Sequence, residues 1–361
     1  MNIFQQHPTP DIERFIQTIR GEIIPDRPPM VEYLVDEVLM REVVTDILGR
    51  PWAEAGWEEL SISTLYLDNL AAFWRAAGYD YVRLELTAGF TGTGLSAPDT
   101  GTKGRTMRNW VNLHKGEIGT WQEFESYPWP DTPSEAHLEA LVYVAEHLPE
   151  GMGMITCHAG GIYETVSNLM SYEGLCFALH DSPDLVAAVT ERAGRCIEKY
   201  YEAFLELDGL CMVLQGEDLG HRTGLLISEG HLKQYFLPWH KRFAEMTHAR
   251  GLPYCLHSCG CMFQLMPAFI DDVGIDGKHS FEDVILPASR FHDLYGDRIA
   301  TMGGVDINIL AAGTSEDVRS ATRKLIEHCA PRGRFAVGSG NSIPSYIPME
   351  NYMALLEEAR R

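Results

Sequence analysis

The chain has 361 residues, of which 45% are hydrophobic, and 51 acidic side chains outnumber 29 basic ones for a formal net charge of −22. The apolar fraction supports a large core and excludes global disorder. The acidic balance excludes a broad polyanion-binding surface, since phosphate contacts need clustered Lys and Arg, and it suits a small-molecule or protein partner. This length allows one large domain or two ordinary ones. The start, "MNIFQQHPTPDIERF", has no basic patch followed by an apolar run, and no stretch approaches ~18 apolar residues, so neither a signal peptide nor a membrane span is expected. Eight cysteines are too sparse for a disulfide scaffold, and Cys157, Cys176, Cys196, Cys211 and Cys329 stand singly in apolar surroundings. They are read as reduced, which makes the expected compartment cytoplasmic.

The first ~75 residues read as mostly helical. "YDYVRLEL" (79–86) reads as a strand, as does "GMGMITCHA" (151–159), which a helical segment at 162–180 follows. The next helix, 182–207, opens with Ser182 as a cap and Pro183 at its first position. "GLCMVLQGEDLG" (209–220) is strand and then loop. A long helix around 229–250, the strand "LPYCLHSCG", a helix at 261–272 and a short strand near "GIDGKHS" come next. "RIATMGGVD" (298–306) is a strand, 315–330 a capped helix, "RFAVGSG" (334–340) the last strand, and a final helix starts near Pro348. Strands alternating with helices imply right-handed βαβ units and a parallel sheet. At this length the expectation is one α/β domain, a (β/α)8 TIM barrel over 76–361 preceded by an N-terminal helical cap over 1–75.

In such folds chemistry sits at the carboxyl ends of strands. His158 follows "MIT", Glu217, Asp218 and His221 follow "MVLQG", Asp306 follows "TMGGV", and Ser339 and Asn341 follow "RFAVG". "PYCLHSCGCM" (253–262) places three cysteines and a histidine in ten positions. Side chains alternate along a strand, so His257 and Cys259 point the same way while Ser258 points away. A His and a Cys one residue apart on a shared face can reach one ion, and zinc favours imidazole nitrogen and thiolate sulfur. The bland reading is a core pair at a strand end. Cys259 and Cys261 form C-x-C rather than the C-x-x-C of redox motifs. Glu217 and Asp218 are adjacent acids on an apolar strand, read as paired or metal-bound at the mouth, with a solvated loop as the plain alternative. His158 has the reading of a satisfied loop histidine beside that of a substrate contact. His180, His231 and His328 read as surface residues.

Five segments are similar, in order, to the uroporphyrinogen decarboxylase-like superfamily: "DRPPMVEYLVD", "GGIYETVSNLMSYEGLCFALHDSPDLV", "EDLGHRTGLLISEGHLKQYFLPWHKRF", "LHSCGCMFQLMPAFIDDVGID", and the stretch from "GGVDINILAAGTSEDVRSATRKLI" to "GSGNSIPSYIPMENYMALL". The resemblance implies a (β/α)8 barrel. The true decarboxylase carries "RQAGRY" near its N-terminus, where this chain reads "VEYLVDEVLMREV". The chain therefore resembles the other branch, the corrinoid-dependent methyltransferases.

That branch implies a zinc ion on His257 and Cys259. Many members add a cysteine in the loop before the last helix, where this sequence has Ser339 in "GSGN". Glu217 is then the first choice of third ligand and Cys261 the second. Zinc in such a site either activates a thiol or acts on the oxygen of a methyl ether, and the absent thiolate favours a methoxylated substrate. Asp218 or His221 would orient substrate or manage a proton, and His158, Ser339 and Asn341 would line the substrate site. The corrinoid would arrive on a separate protein. The oligomeric state, a homodimer included, is left open. The rival readings are a metal-independent decarboxylase and a non-catalytic barrel that binds a ligand or a corrinoid protein.

Overall fold

A computed structural model describes residues 3–6, 9–56, 62–92, 94–98 and 107–361. Seven short strands form one sheet: β1 (Tyr81–Arg83), β2 (Gly153–Thr156), β3 (Leu210–Gly216), β4 (Tyr254–His257), β5 (Gly277–His279), β6 (Ala300–Met302) and β7 (Phe335–Ala336). They lie side by side in chain order, and each pairing is parallel. Their residues are buried almost without exception. Such continuous burial is what strands covered on both faces show.

Helices supply the crossovers. Pro183–Phe204 follows β2, Leu237–Ala249 follows β3, Ala288–Tyr295 follows β5 and Ser315–Cys329 follows β6. Thr314 closes a capping box with Asp317 at the start of Ser315–Cys329. Ser182 occupies the cap position of Pro183–Phe204 without a side-chain bond, so Pro183 alone marks that start locally. An antiparallel pair, Gly94–Pro98 with Met107–Val111, is inserted between β1 and β2. Among the described residues no helix is long and apolar enough to cross a membrane.

The first 75 residues differ from the expected helical cap. Helices do form at Ile12–Arg20, Glu37–Glu42 and Thr64–Ala77. Between the first two, however, the chain runs extended alongside β7. Val31 donates its amide to Val337, Val337 donates to Pro29, and parallel bridges join Met30 to Val337 and Val35 to Ile343. The physical reason is local: Pro28 and Pro29 drive their neighbours out of the helical region. Glu32 of this segment also bonds β1, donating its amide to the Tyr81 hydroxyl (2.7 Å) and accepting from it at its carbonyl (2.8 Å). Since β1 and β7 are opposite edges of the sheet order, the sheet curls until this one segment reaches both β1 and the residues just after β7.

Helix Ile12–Arg20 lies at the amino ends of the strands. Ile12 donates to the carbonyl of Gly151, just before β2, and the Asp11 amide donates to Asp80, just before β1. The carboxyl ends of the strands, with their polar residues, face the other way.

Gly338 tests the docking of the extended segment. A Cβ there would fall 1.7 Å from the Val31 carbonyl oxygen, backbone that cannot swing aside. Gly338→Ala should lose about 1–3 kcal/mol of unfolding free energy, the usual cost of overpacking. Gly224→Ala, which meets nothing within 4 Å, serves as the control in the same urea titration. Equal stability of the two variants would refute the docked segment.

Candidate metal centre

Parallel register places Gly216 of β3 opposite His257 of β4, and His257 opposite His279 of β5. The residues that follow these strand ends therefore leave the sheet at one level. Asp218, His257 and Cys259 come together there, with one ligand atom from each lying within 4.8 Å of the other two. The Cys259 sulfur is 3.7 Å from Nε2 of His257, and the Cys259 amide donates to Oδ1 of Asp218 at 3.1 Å. His257 is buried, while Asp218 and Cys259 are half-buried.

Several neighbours hold the three in place. Asn341 donates from Nδ2 to the Cys259 sulfur (3.2 Å) and Ser280 donates from its hydroxyl (3.5 Å). Ser280 reaches the sulfur from a left-handed backbone, φ 80°, which is uncommon for a side chain with a Cβ. The buried ammonium of Lys278 donates to the carbonyls of Ser258, His279 and Ser280, tying the ends of β4 and β5 together. The Tyr33 ring stacks on His257 at 3.7 Å between centroids, and the Arg83 guanidinium lies 4.2 Å from the centroid of the same Tyr33 ring.

Burial sets the electrostatics. It pushes the Cys259 thiol up to about 12, helped by the Asp218 charge and opposed by the bonds from Ser280 and Asn341. Burial holds both imidazoles neutral: His257 lies well below the usual range and His279 is down to about 3. Burial also lowers Lys278 to about 8, opposed by the charges of Cys259, Glu282 and Asp218.

The carboxylate in the cluster belongs to Asp218 and not to Glu217. Both Glu217 oxygens are engaged elsewhere. They accept from the amides of Tyr163 (3.0 Å) and Glu164 (2.8 Å) at the start of helix Ile162–Met170, and one is also 2.9 Å from Nε2 of His240. An anion is stabilised at such a helix start. Ser339 does not approach the sulfur: its hydroxyl donates to Oε1 of buried Glu32 at 2.7 Å, and the residue of the "GSGN" loop that reaches Cys259 is Asn341. Cys261 has its amide bound to the His221 carbonyl, and it is absent from the ligand group among the described residues. His221 is exposed on a small hairpin, bonded to Thr223, so its proton-handling role has no partner in the cluster. His158 is buried beside Phe90 and Tyr200 with Nδ1 on the Gly160 carbonyl, in the neighbouring sector of the mouth. Asp306 caps Ile307–Ala312 and receives the Asp283 amide.

Reading strand ends left out His279 and Ser280, although the same rule applied to "DGKHS" reaches both. Tyr33 and Glu32 were hidden because their segment read as helix.

A curled parallel α/β sheet with a mixed oxygen, nitrogen and sulfur ligand group at its carboxyl edge defines the class of strand-end site found in α/β barrels. The family model described as "Uroporphyrinogen decarboxylase (URO-D)" matches residues 92–361, and the chain belongs to that family. Among solved structures it is similar to a "methyltransferase from Methanosarcina mazei", at 18% identity and a TM-score of 0.70, over 98% of this chain and 99% of that one. No curated protein matches the sequence.

Two outcomes follow from the buried acids. Glu217→Ala strands the Tyr163 and Glu164 amides and leaves buried His240 without its carboxylate, so it should destabilise by on the order of 1–3 kcal/mol, with Asp218→Ala costing much less. Urea unfolding of the two variants decides between these placements. Burial raises Glu32 to about 8 from 4.5, against the bonds from Ser339 and Tyr33. The native carboxyl thus keeps a proton that the unfolded one has lost, and its contribution falls as pH rises from about 4.5 to about 8. The stability advantage of wild type over Glu32→Gln should shrink across that window, and a constant difference would contradict it.

Proposed function

We propose that the chain is a zinc-dependent methyltransferase of its family, with Asp218, His257 and Cys259 as the protein ligands. The observation that carries this reading is the convergence of those three donors within 4.8 Å. One carboxylate, one imidazole and one thiolate suit zinc, and three protein ligands are the number that leaves a coordination position for substrate. The likeness to a methyltransferase along the whole chain supports the same reading. On this reading the segment 29–35 closes the barrel, joined by backbone to Val337 and Ile343 after β7 and to β1 through Tyr81.

Zinc in this position would polarise the oxygen of a methyl ether or acidify a bound thiol. A carboxylate in place of a second thiolate makes the set harder, which favours an oxygen-bound methyl group and hence a methoxylated substrate. The chain's own residues do the remaining work. Asn341 and Ser280 donate to the sulfur and favour its thiolate form, because hydrogen bonds to the charged form stabilise it. Tyr33 and Arg83 wall the inner side of the site, and Lys278 fixes the loops that carry Cys259 and Ser280. The methyl group would pass to or from a corrinoid held on a separate protein.

Metal analysis tests the reading. Purified protein should hold about one zinc, and free zinc at about 100 times Kd should stabilise it by about 2.7 kcal/mol. Asp218→Ala, His257→Ala and Cys259→Ala should each abolish that gain, while Glu217→Gln should keep it. Cobalt absorbance then follows methyl transfer from methoxylated aromatics to reduced cobalamin, against transfer from methylcobalamin to thiols. Protein that lacks metal and whose melting is indifferent to added zinc would overturn the proposal; a metal-independent decarboxylase would then be the better reading.

A further inference from the structure

We infer that His279 is a positioning residue that selects the metal-binding tautomer of His257. The inference rests on the zinc reading above. His257 and His279 are register partners on β4 and β5, and both side chains are buried. Their Nδ1 atoms are 2.7 Å apart, and the rings stack at 5.0 Å between centroids. Tyr33 covers both rings, at 3.7 Å and 6.0 Å.

Two nitrogens at that distance share one proton: two N–H groups would clash, and two lone pairs would repel. Only two arrangements of neutral rings are consistent with the contact. In the first, His257 donates from Nδ1 to His279, and its Nε2 turns a lone pair towards Cys259 and Asp218. In the second, His279 donates, and Nε2 of His257 carries a proton that points at the sulfur. Only the first can bind a cation at Nε2. A neighbour that can only accept enforces it, and His279 accepts when its own proton sits on Nε2. Nε2 of His279 has no partner among the described residues, and Gly303 lies beside it, where a Cβ would come within 2.9 Å. Gly303 leaves room at that nitrogen for its proton, and among the described residues no donor there forces the opposite tautomer.

The test uses three proteins: wild type, His279→Asn and His279→Leu. Asparagine retains an acceptor near the Nδ1 position, whereas leucine has similar branching and none. Zinc affinity is measured by competition with a chromophoric chelator, and cobalt(II) loading gives the ligand-field spectrum. Circular dichroism establishes that each variant is folded. His279→Leu should bind zinc roughly 10–100-fold more weakly, the range for lost outer ligand contacts, and should shift the cobalt bands. His279→Asn should stay within a few-fold of wild type with an unshifted spectrum. Equal affinity of the leucine variant and wild type overturns the inference, as does an equal loss in both variants. Absence of zinc binding in wild type refutes the metal site itself, and is distinguished because it appears without any substitution.

Discussion

The register of the parallel ladder is the constraint on which the site depends. Gly216, His257 and His279 stand at one level because β3, β4 and β5 pair in that alignment. A slip of one residue between β4 and β5 would turn His279 to the outer face and bring Lys278 inward, since side chains alternate with period two. The Nδ1 contact would vanish, and the ammonium that now ties three carbonyls would enter the site. The alignment is protected by the carbonyl cage around Lys278 and by the aromatic layer of Tyr33.

Burial gives this arrangement its chemistry. The same desolvation that keeps both imidazoles neutral also resists ionising the Cys259 thiol. Neutral imidazoles are competent ligands, whereas a thiol must lose its proton to become one. On the zinc reading, a cation bound beside Asp218 and Cys259 would reverse the second effect, because its charge would offset the cost of the buried anions. The two adjacent acids that follow β3 divide the labour: Glu217 orders the start of a helix and Asp218 faces the cluster. The first depends on helix geometry, the second on the approach of β4.

Much of this was legible in the sequence. Apolar runs alternating with capped helices identify a parallel α/β sheet, because the two periodicities are local properties of the chain. The shared direction of His257 and Cys259 follows from one strand alone, and the polar residues after each strand locate the mouth. Five matching segments pointed to the family that the comparison then established.

What the sequence left open are contacts between segments far apart in the chain. Whether Glu217 or Asp218 faces the cluster depends on which amides lie beside it, and these come from helix Ile162–Met170. Whether Ser339 or Asn341 meets the sulfur depends on Glu32, 307 residues away, which draws the serine hydroxyl to itself. Segment 29–35 reads as part of a helical region; its prolines break the helix locally, and Val337 and Ile343, beyond β7, supply the backbone partners that hold it extended. Local pattern determined which chemical groups this protein has and on which elements they lie. Tertiary structure alone decided which of them touch, since a hydrogen bond needs its partner within about 3 Å and no spacing along the chain supplies that.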